Sequence, residues 1–415
     1  MKLNPYKRSI GLDVHRDRIF ITILSITDGR ADQYEISTQE KDFDAFLASL
    51  RPDDQVALEA TRGHNYNVDR LLTRVGQVAV ANPSKLQFFT GKTAKNDRND
   101  SFSLAMLLAV GTLPTVWIAD PETRQDREIL HYRANLIQEQ TRLKNRIRAL
   151  LCEHGVSWQG SDIQAAGARL FFLKLRNRLA WGTQEVLTNQ LEQLELLEAR
   201  LTRIEQTIQV RVVRHPEVAL LMTIRGINVL TAFTIMAVIG RVDRFPSADS
   251  LANYAGLVPR QHSSAGKSHF GKVTKAGSRM LRWALTEAVQ SLCKVDGHYR
   301  NLCKRLERKK KGKGVAATAC ARKLLTAIWC MLTRGETFHH AEPALVERKL
   351  DRQAQRLPAA KQLVEKRKEQ AGRTILNQLA LVQDLAQRQT QLPVPRQLLA
   401  SFGRHALPKP VAATG

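Results

Sequence analysis

Ser9-Ile10-Gly11-Leu12-Asp13-Val14-His15-Arg16-Asp17-Arg18-Ile19-Phe20-Ile21-Thr22-Ile23-Leu24-Ser25-Ile26 is the stretch that decides the fold. Apolar, β-branched runs flank a charged centre, which reads as two strands around a turn. Thr27-Asp28-Gly29-Arg30 is a hairpin signal, and residues 32–36 give a short third strand. Further on, Phe43, Phe46, Leu47 and Leu50 put an apolar face on a helix over 39–50. Residues 55–59 return to strand, 64–75 are helical, 77–81 form a strand that stops at Asn82-Pro83, and a helix of roughly 98–109 follows. Three strands and then alternating helix and strand predict a mixed α/β domain, a sheet covered by helices.

The chain has 415 residues, enough for two or three domains, and its 43% apolar content supports ordinary globular cores. A formal charge of +25 exceeds what solubility needs. Such a field attracts phosphate backbones and disfavours acidic partners. No uninterrupted apolar run reaches about 18 residues, so no membrane partner is expected. The first residues lead straight into a strand and do not resemble a signal peptide. The five cysteines, Cys152, Cys293, Cys303, Cys320 and Cys330, contain no C-x-x-C pair. Their odd number argues against a disulfide scaffold, and a zinc module is not expected. The cytoplasm is the expected compartment.

Carboxylates punctuate the α/β part. Asp13 lies in the first strand among apolar or small neighbours, where an aspartate is expensive to bury unless paired or bound to a cation. Glu59 ends a later strand, the place where α/β folds bind ligands. Asp97 and Asp100, in Lys95-Asn96-Asp97-Arg98-Asn99-Asp100, share a helix face just before an apolar run. Each has a bland reading. Asp97 and Asp100 can cap the helix, Glu59 can cap the helix near 64, and Asp13 can terminate its strand. Together, four carboxylates on the ends of adjacent elements can hold two Mg²⁺ ions about 4 Å apart for phosphoryl transfer.

Residues 121–155 and 165–212 are long, Leu/Arg/Glu/Gln-rich and poor in glycine. Leu130, Leu136, Leu143, Ile147 and Leu150 mark one stripe; Leu187, Leu191, Leu194, Leu197, Leu201 and Ile204 mark another. They read as a helical hairpin or a coiled coil, either within one chain or between subunits. Thr223-Ile224-Arg225-Gly226-Ile227 sits between helices at 215–223 and 228–239, so its backbone N–H groups can face a phosphate, or form an ordinary corner. A helix at 247–254 follows, then a polar stretch over 260–278 that reads as an ordered loop, then a helix over 278–293. The basic run 305–314 reads as a phosphate-facing loop before an apolar helix over 315–332. Beyond about 341 one or two helices and a frayed end are expected.

On these residues the chain resembles the transposases of the IS110/IS1111 insertion-sequence family, the IS1111 group above all, from about residue 9 to 338. The resemblance implies a RuvC-like, ribonuclease-H-like domain over 1–120 whose D-E-D-D set is Asp13, Glu59, Asp97 and Asp100, holding Mg²⁺. Members of that family usually have Ala at the position of Ser101. A helical hairpin or coiled coil over 121–212 would follow, then a mainly helical transposase domain over 213–340 with a helix-hairpin-helix-like turn; a basic extension over 341–415 lies beyond the resemblance. The family's catalytic serine falls in Ala255-Gly256-Leu257-Val258-Pro259-Arg260-Gln261-His262-Ser263-Ser264-Ala265-Gly266-Lys267 and maps to Ser264. Many relatives have Gly where Ala265 stands, so Ser263 is a second candidate. A serine hydroxyl needs activation, and no Ser-His-Asp spacing is evident, although His262 and His269 are close in sequence.

Arg260, Lys267, Lys272, Lys275, Arg279 and Arg282, with Arg308, Lys309, Lys310, Lys311 and Lys313, are the expected nucleic-acid contacts. The implied activity is site-specific DNA recombination through a covalent phosphoserine intermediate, with a composite centre formed by the carboxylates and the serine. Implied partners are donor and target duplex DNA, a structured guide RNA and further copies of the chain, as dimer or tetramer, at a prokaryotic nucleoid. The rival readings are a metal-dependent nuclease or junction resolvase, and a non-catalytic nucleic-acid-binding protein.

Overall fold

The computed structural model describes residues 5–61, 63–90, 96–156, 171–172, 175, 178–212, 214–264, 267–309 and 312–355; of 87–90, 261–264, 267–270, 272 and 353–355 it describes the backbone alone. The chain divides into two compact units, Met1–Asp120 and Pro121–Gly415.

The first unit is a mixed α/β domain. Its strands are β1 (Arg8–Val14), β2 (Arg18–Ser25), β3 (Ala31–Ser37), β4 (Asp54–Glu59), β5 (Gln77–Ala81) and a short β6 (Thr115–Val116). They form one sheet in the order β3-β2-β1-β4-β5-β6. β1, β2 and β3 are antiparallel neighbours, while β4 lies parallel to β1 and β5 parallel to β4, the ribonuclease-H-like arrangement. Helices α1 (Glu40–Ser49), α2 (His64–Leu71), α3 (Pro83–Thr90) and α4 (Asp97–Ala109) complete the unit. Neither α3 nor β6 was expected from the sequence.

Successive strand residues point to opposite faces, and the two faces of this sheet differ in size. Ile10, Leu12, Val56, Leu58, Val78 and Val80 form one core with Phe43, Phe46 and Leu47 of α1 and Val68 and Leu71 of α2. The intervening positions are small, and Ala57, Ala79 and Ala81 pack with Leu104 and Leu108 of α4. The small face lets α4 come close. A Cβ on Gly11 would lie 1.9 Å from the Ser101 carbonyl oxygen and 2.8 Å from the Ala105 nitrogen.

In the second unit, two long helices, α5 (Pro121–Glu153) and α6 (Trp181–Val212), pack on each other. Leu136, Leu143, Ile147 and Leu151 meet Leu187, Leu194 and Leu197, so these stripes are satisfied within one chain. Leu150 lies partly buried beside Leu151, which takes the fully buried position. The bases of both helices join the main core through Leu130, Ile208 and Val212. That core gathers α7 (Pro216–Met222), α8 (Val229–Ile239), α9 (Ala248–Tyr254), α10 (Arg279–Val295), α11 (Gly297–Arg308), α12 (Gly312–Arg334) and α13 (Pro343–Gln355). By length and composition α12 could cross a membrane, but Cys320, Ala321, Leu324, Leu325 and Ile328 on it are core residues. The carbonyls closing α8 are held by cations, as the negative end of a helix favours: Arg127 donates to Ala237 and Val238, and Arg244 to Ile239.

A buried charge cluster locks α5 to α6. Asp126 is 1% exposed; Arg211 Nε donates to its Oδ1 at 2.8 Å, and His215 Nε2 lies 2.8 Å from its Oδ2. Removing one partner of such a pair leaves an uncompensated buried charge. R211M is therefore expected to lower stability by about 3–5 kcal/mol. A urea midpoint equal to that of the wild type would contradict this.

Two expectations are corrected. The polar stretch 260–278 is not a loop throughout: β7 (Pro259–Ser264) and β8 (Lys267–Val273) form an antiparallel two-stranded sheet, with Ser264 opposite Lys267, and only residues 274–278 connect it to the next helix without strand or helix. The basic run 305–314 is not a loop throughout either: both of its ends are helical. α11 continues through Arg308 and α12 begins at Gly312; Lys310 and Lys311 lie outside the described residues, as do residues 356–415. Exposed arginine and lysine are good helix formers, so charge alone does not break a helix.

Candidate active site

Strand parity assembles the carboxylates. Asp13 follows Ser9 and Gly11 on the small face of β1, and Glu59 follows Ala57 on the same face of β4. The parallel register pairs Gly11 with Ala57 and Leu12 with Leu58, so Asp13 and Glu59 are the next residues at neighbouring strand ends. This is the face that α4 covers. The first turn of α4 carries Asp97 and Asp100.

The cap of α4 is Asn96, whose side chain accepts from the Arg98 N–H at 3.2 Å. The aspartates therefore are not needed as caps. A polar network fixes the same turn. Gln33 donates to Thr22 Oγ1 (3.0 Å) and to the Arg98 carbonyl (3.1 Å), and Thr22 Oγ1 lies 2.8 Å from Ser101 Oγ. Ser101 is 1% exposed and spends its hydroxyl inside this network. Ser9 Oγ donates to the Ala105 carbonyl at 2.7 Å, a further tie between β1 and α4.

Within this frame the oxygens crowd. Burial pushes the Asp13 carboxyl above the usual carboxylate range; His15 pulls it back, while Asp100 and Asp97 push it up. His15 Nε2 lies 3.1 Å from Asp13 Oδ2 and 3.5 Å from Asp97 Oδ1. The ligand atoms of Asp13, His15 and Asp97 all lie within 4.8 Å of one another, a group able to hold a metal ion. A buried carboxylate destabilised by its neighbours is what a bound cation relieves, and hard oxygen donors suit Mg²⁺. Asp100, one helical turn along, and Glu59, at the adjoining strand end, flank this group rather than belong to it. His15, which the structure places in this group, was not singled out by the sequence. Its signal was its position two residues after Asp13, the spacing that returns to one face of an extended chain.

A second metal-capable group was not expected. Cys293, Cys303 and Cys320, from α10, α11 and α12, also lie within 4.8 Å of one another. Cys293 and Cys303 form a disulfide, and Cys320 Sγ lies 2.9 Å from Cys303 Sγ. Their sequence separations match no metal or disulfide motif because three different helices bring them together. Burial pushes the Cys320 thiol up to about 11. Soft sulfur donors do not suit Mg²⁺.

In the second unit the base of the β7–β8 hairpin is held by close backbone contact. Gly256 and Gly277 both have positive φ, and a Cβ on Gly277 would lie 2.2 Å from the Tyr254 carbonyl. The side chains of Ser263, Ser264, Lys267 and Lys272 lie outside the described residues. Arg260, Lys275, Arg279, Arg308, Lys309 and Lys313 are exposed. Arg282 is half-buried and donates to the Ala255 carbonyl at 3.0 Å, so it supports the hairpin base.

Sheet order, small-faced β1 and β4, and convergent carboxylates describe a domain of the ribonuclease-H-like class. Comparison with known proteins is consistent with that class. A DEDD transposase model of the IS110 type matches residues 10–155, and a model described as "Transposase IS116/IS110/IS902 family" matches residues 218–304. The chain belongs to the IS110/IS1111 family of transposases and is a DNA recombinase. It is 27% identical over 341 residues to the transposase for insertion sequence element IS1111A of Coxiella burnetii, covering 79% of this chain and 90% of the relative. It is 25% identical to the transposase for insertion sequence element IS1328 of Yersinia enterocolitica, over 71% of this chain and 87% of that protein. A pilin gene-inverting protein of Moraxella lacunata shares 36% identity over 124 residues, 29% of this chain and 38% of the relative.

Proposed function

We propose that the chain is a serine-dependent, Mg²⁺-requiring transposase that moves an IS1111-type element. The observation that supports the metal half most directly is the Asp13 carboxyl, buried and crowded by Asp97 and Asp100 on the face that α4 covers. Asp13, Glu59, Asp97 and Asp100 would hold Mg²⁺, which when bound supplies charge neutralisation to a DNA phosphate. His15 would orient Asp13 and Asp97.

Ser264 is the proposed nucleophile. Its Oγ forms a bond to the scissile phosphorus as the bond from phosphorus to one deoxyribose oxygen breaks. The serine proton goes to the departing oxygen, leaving a phosphoserine ester and a free strand hydroxyl. Attack by the hydroxyl of another strand reverses the step, so the bond energy is kept. Arg260, Lys267, Lys272, Lys275 and Arg279 would neutralise phosphates near the serine, and Arg308, Lys309, Lys310, Lys311 and Lys313 would bind backbone farther along. The high positive charge suits a second polyanion, and a structured guide RNA pairing with donor and target is part of this reading. Work on two duplexes calls for a dimer or tetramer, acting at the nucleoid in the cytoplasm. The labour divides among 1–120 for metal binding, 121–212 for helical spacing, 213–340 for the serine and DNA, and 341–415 as a basic extension.

The test is recombination of supercoiled DNA carrying the element ends, with the cognate RNA and Mg²⁺. The wild type should yield a covalent protein–DNA adduct, and S264A should lose both the adduct and recombination by at least about a thousandfold. An adduct that persists in S264A but disappears in S263A moves the nucleophile by one residue. Cleavage untouched by either change supports a metal-dependent nuclease or resolvase instead.

A further inference from the structure

The turn between α7 and α8 gathers backbone oxygens on one point. The carbonyls of Met222, Ile224 and Ile227 all accept from Lys349 Nζ, at 2.7, 2.6 and 2.9 Å. An ammonium has three N–H donors and no acceptor, so this one is saturated by main-chain oxygens. The turn makes the convergence possible. Gly226 takes φ of 80°, and an added Cβ would lie 2.7 Å from the Ala288 carbonyl, so the turn is pressed against α10. Met222 ends α7, where the helix dipole adds negative potential.

The lysine is delivered by α13, beyond the stretch that resembles the family. Val346 and Leu350 bury in the core on either side of it, and Glu342 pairs with Arg225 of the turn. Arg225 also donates to the Val295 carbonyl at 2.8 Å, so it too holds structure together. An apolar residue at 349 would leave the carbonyls without this donor, which is costly for buried acceptors.

We propose that the carbonyls of Met222, Ile224 and Ile227 form a monovalent-cation site whose resident cation is the tethered ammonium of Lys349. Uncharged carbonyl oxygens replace the hydration shell of an ion such as K⁺ or NH₄⁺, whereas a divalent ion calls for carboxylates. Burial pushes the Lys349 amine down to about 8, while three acceptors favour its charged form. A cavity of about 400 Å³ lined by Arg133, Glu205, Met222, Asn228, Lys349 and Arg352 gives a small ion a way in once the side chain is shortened. The site ties the segment after residue 341 to the turn read as phosphate-facing. The cation chemistry itself does not depend on that reading.

The experiment is thermal melting of the full-length wild type, K349A and K349M in KCl, NH₄Cl and choline chloride at equal ionic strength. The wild type should melt alike in all three. K349A should melt lower in choline chloride and regain roughly 3 °C or more in KCl or NH₄Cl. K349M, which fills the space without a charge, should melt below the wild type and not respond to the cation. A K349A protein that fails to fold in choline chloride but folds in KCl supports the site. Identical K349A melting in choline and K⁺, failure to fold in every salt, or a K349M protein as stable as the wild type overturns it. None of these outcomes bears on S264A, so this site and the serine chemistry stand or fall separately.

Discussion

D13N is expected to lose DNA strand transfer by at least about a thousandfold while folding as stably as the wild type, or more so. The activity loss follows from the proposed role. Charge neutralisation by a bound metal contributes several kcal/mol to phosphoryl transfer, and each 1.36 kcal/mol is about tenfold in rate. The stability gain follows from what surrounds Asp13. Its carboxylate is 13% exposed, and burial, Asp100 and Asp97 all disfavour its charged form, with only His15 opposing them. An amide of the same shape relieves that crowding. Metal titration separates this from a general loss of function. Mg²⁺ should raise the melting temperature of the wild type, since a ligand that binds only the folded state stabilises it, and should not raise that of D13N. A D13N protein that recombines DNA normally would remove Asp13 from the site, and one that melts far below the wild type would make it structural.

Much of this site was legible in the sequence, and for a definite reason. Strand parity alone separates Ile10, Leu12, Val56 and Leu58 from Ser9, Gly11 and Ala57, and it places Asp13 and Glu59 on the small side. Which helix covers that side was less legible. Phe102, Leu104, Met106, Leu107 and Leu108 run round α4 with little one-sidedness, and Phe102 and Met106 stay exposed. The β7–β8 hairpin escaped because its stretch of sequence is mostly polar, so no apolar alternation marks the strands. The Cys293, Cys303 and Cys320 grouping and the Lys349 contacts escaped for another reason. The first depends on how three helices pack, and the second is made to backbone carbonyls, which every residue carries.

G11A is expected to be the most damaging small substitution in the first unit, costing roughly 3 kcal/mol or more. The cost is steric and independent of φ, because Gly11 lies in the extended β1. The atoms an alanine would meet are backbone: the Ser101 oxygen at 1.9 Å and the Ala105 nitrogen at 2.8 Å. Backbone cannot turn aside as a side chain can, so α4 must move off β1. That movement breaks the Ser9–Ala105 and Thr22–Ser101 hydrogen bonds and carries Asp97 and Asp100 away from Asp13. Stability and activity should therefore fall together, unlike in D13N, where activity alone is lost. Gly63 provides the control. Its φ is 81°, and nothing lies within 4 Å of an added Cβ, so G63A pays only the left-handed backbone cost of about 1–2 kcal/mol. Melting both variants beside the wild type decides the matter: G11A should fall well below G63A, and a G11A protein that melts level with G63A would mean that α4 does not press on β1 at this glycine.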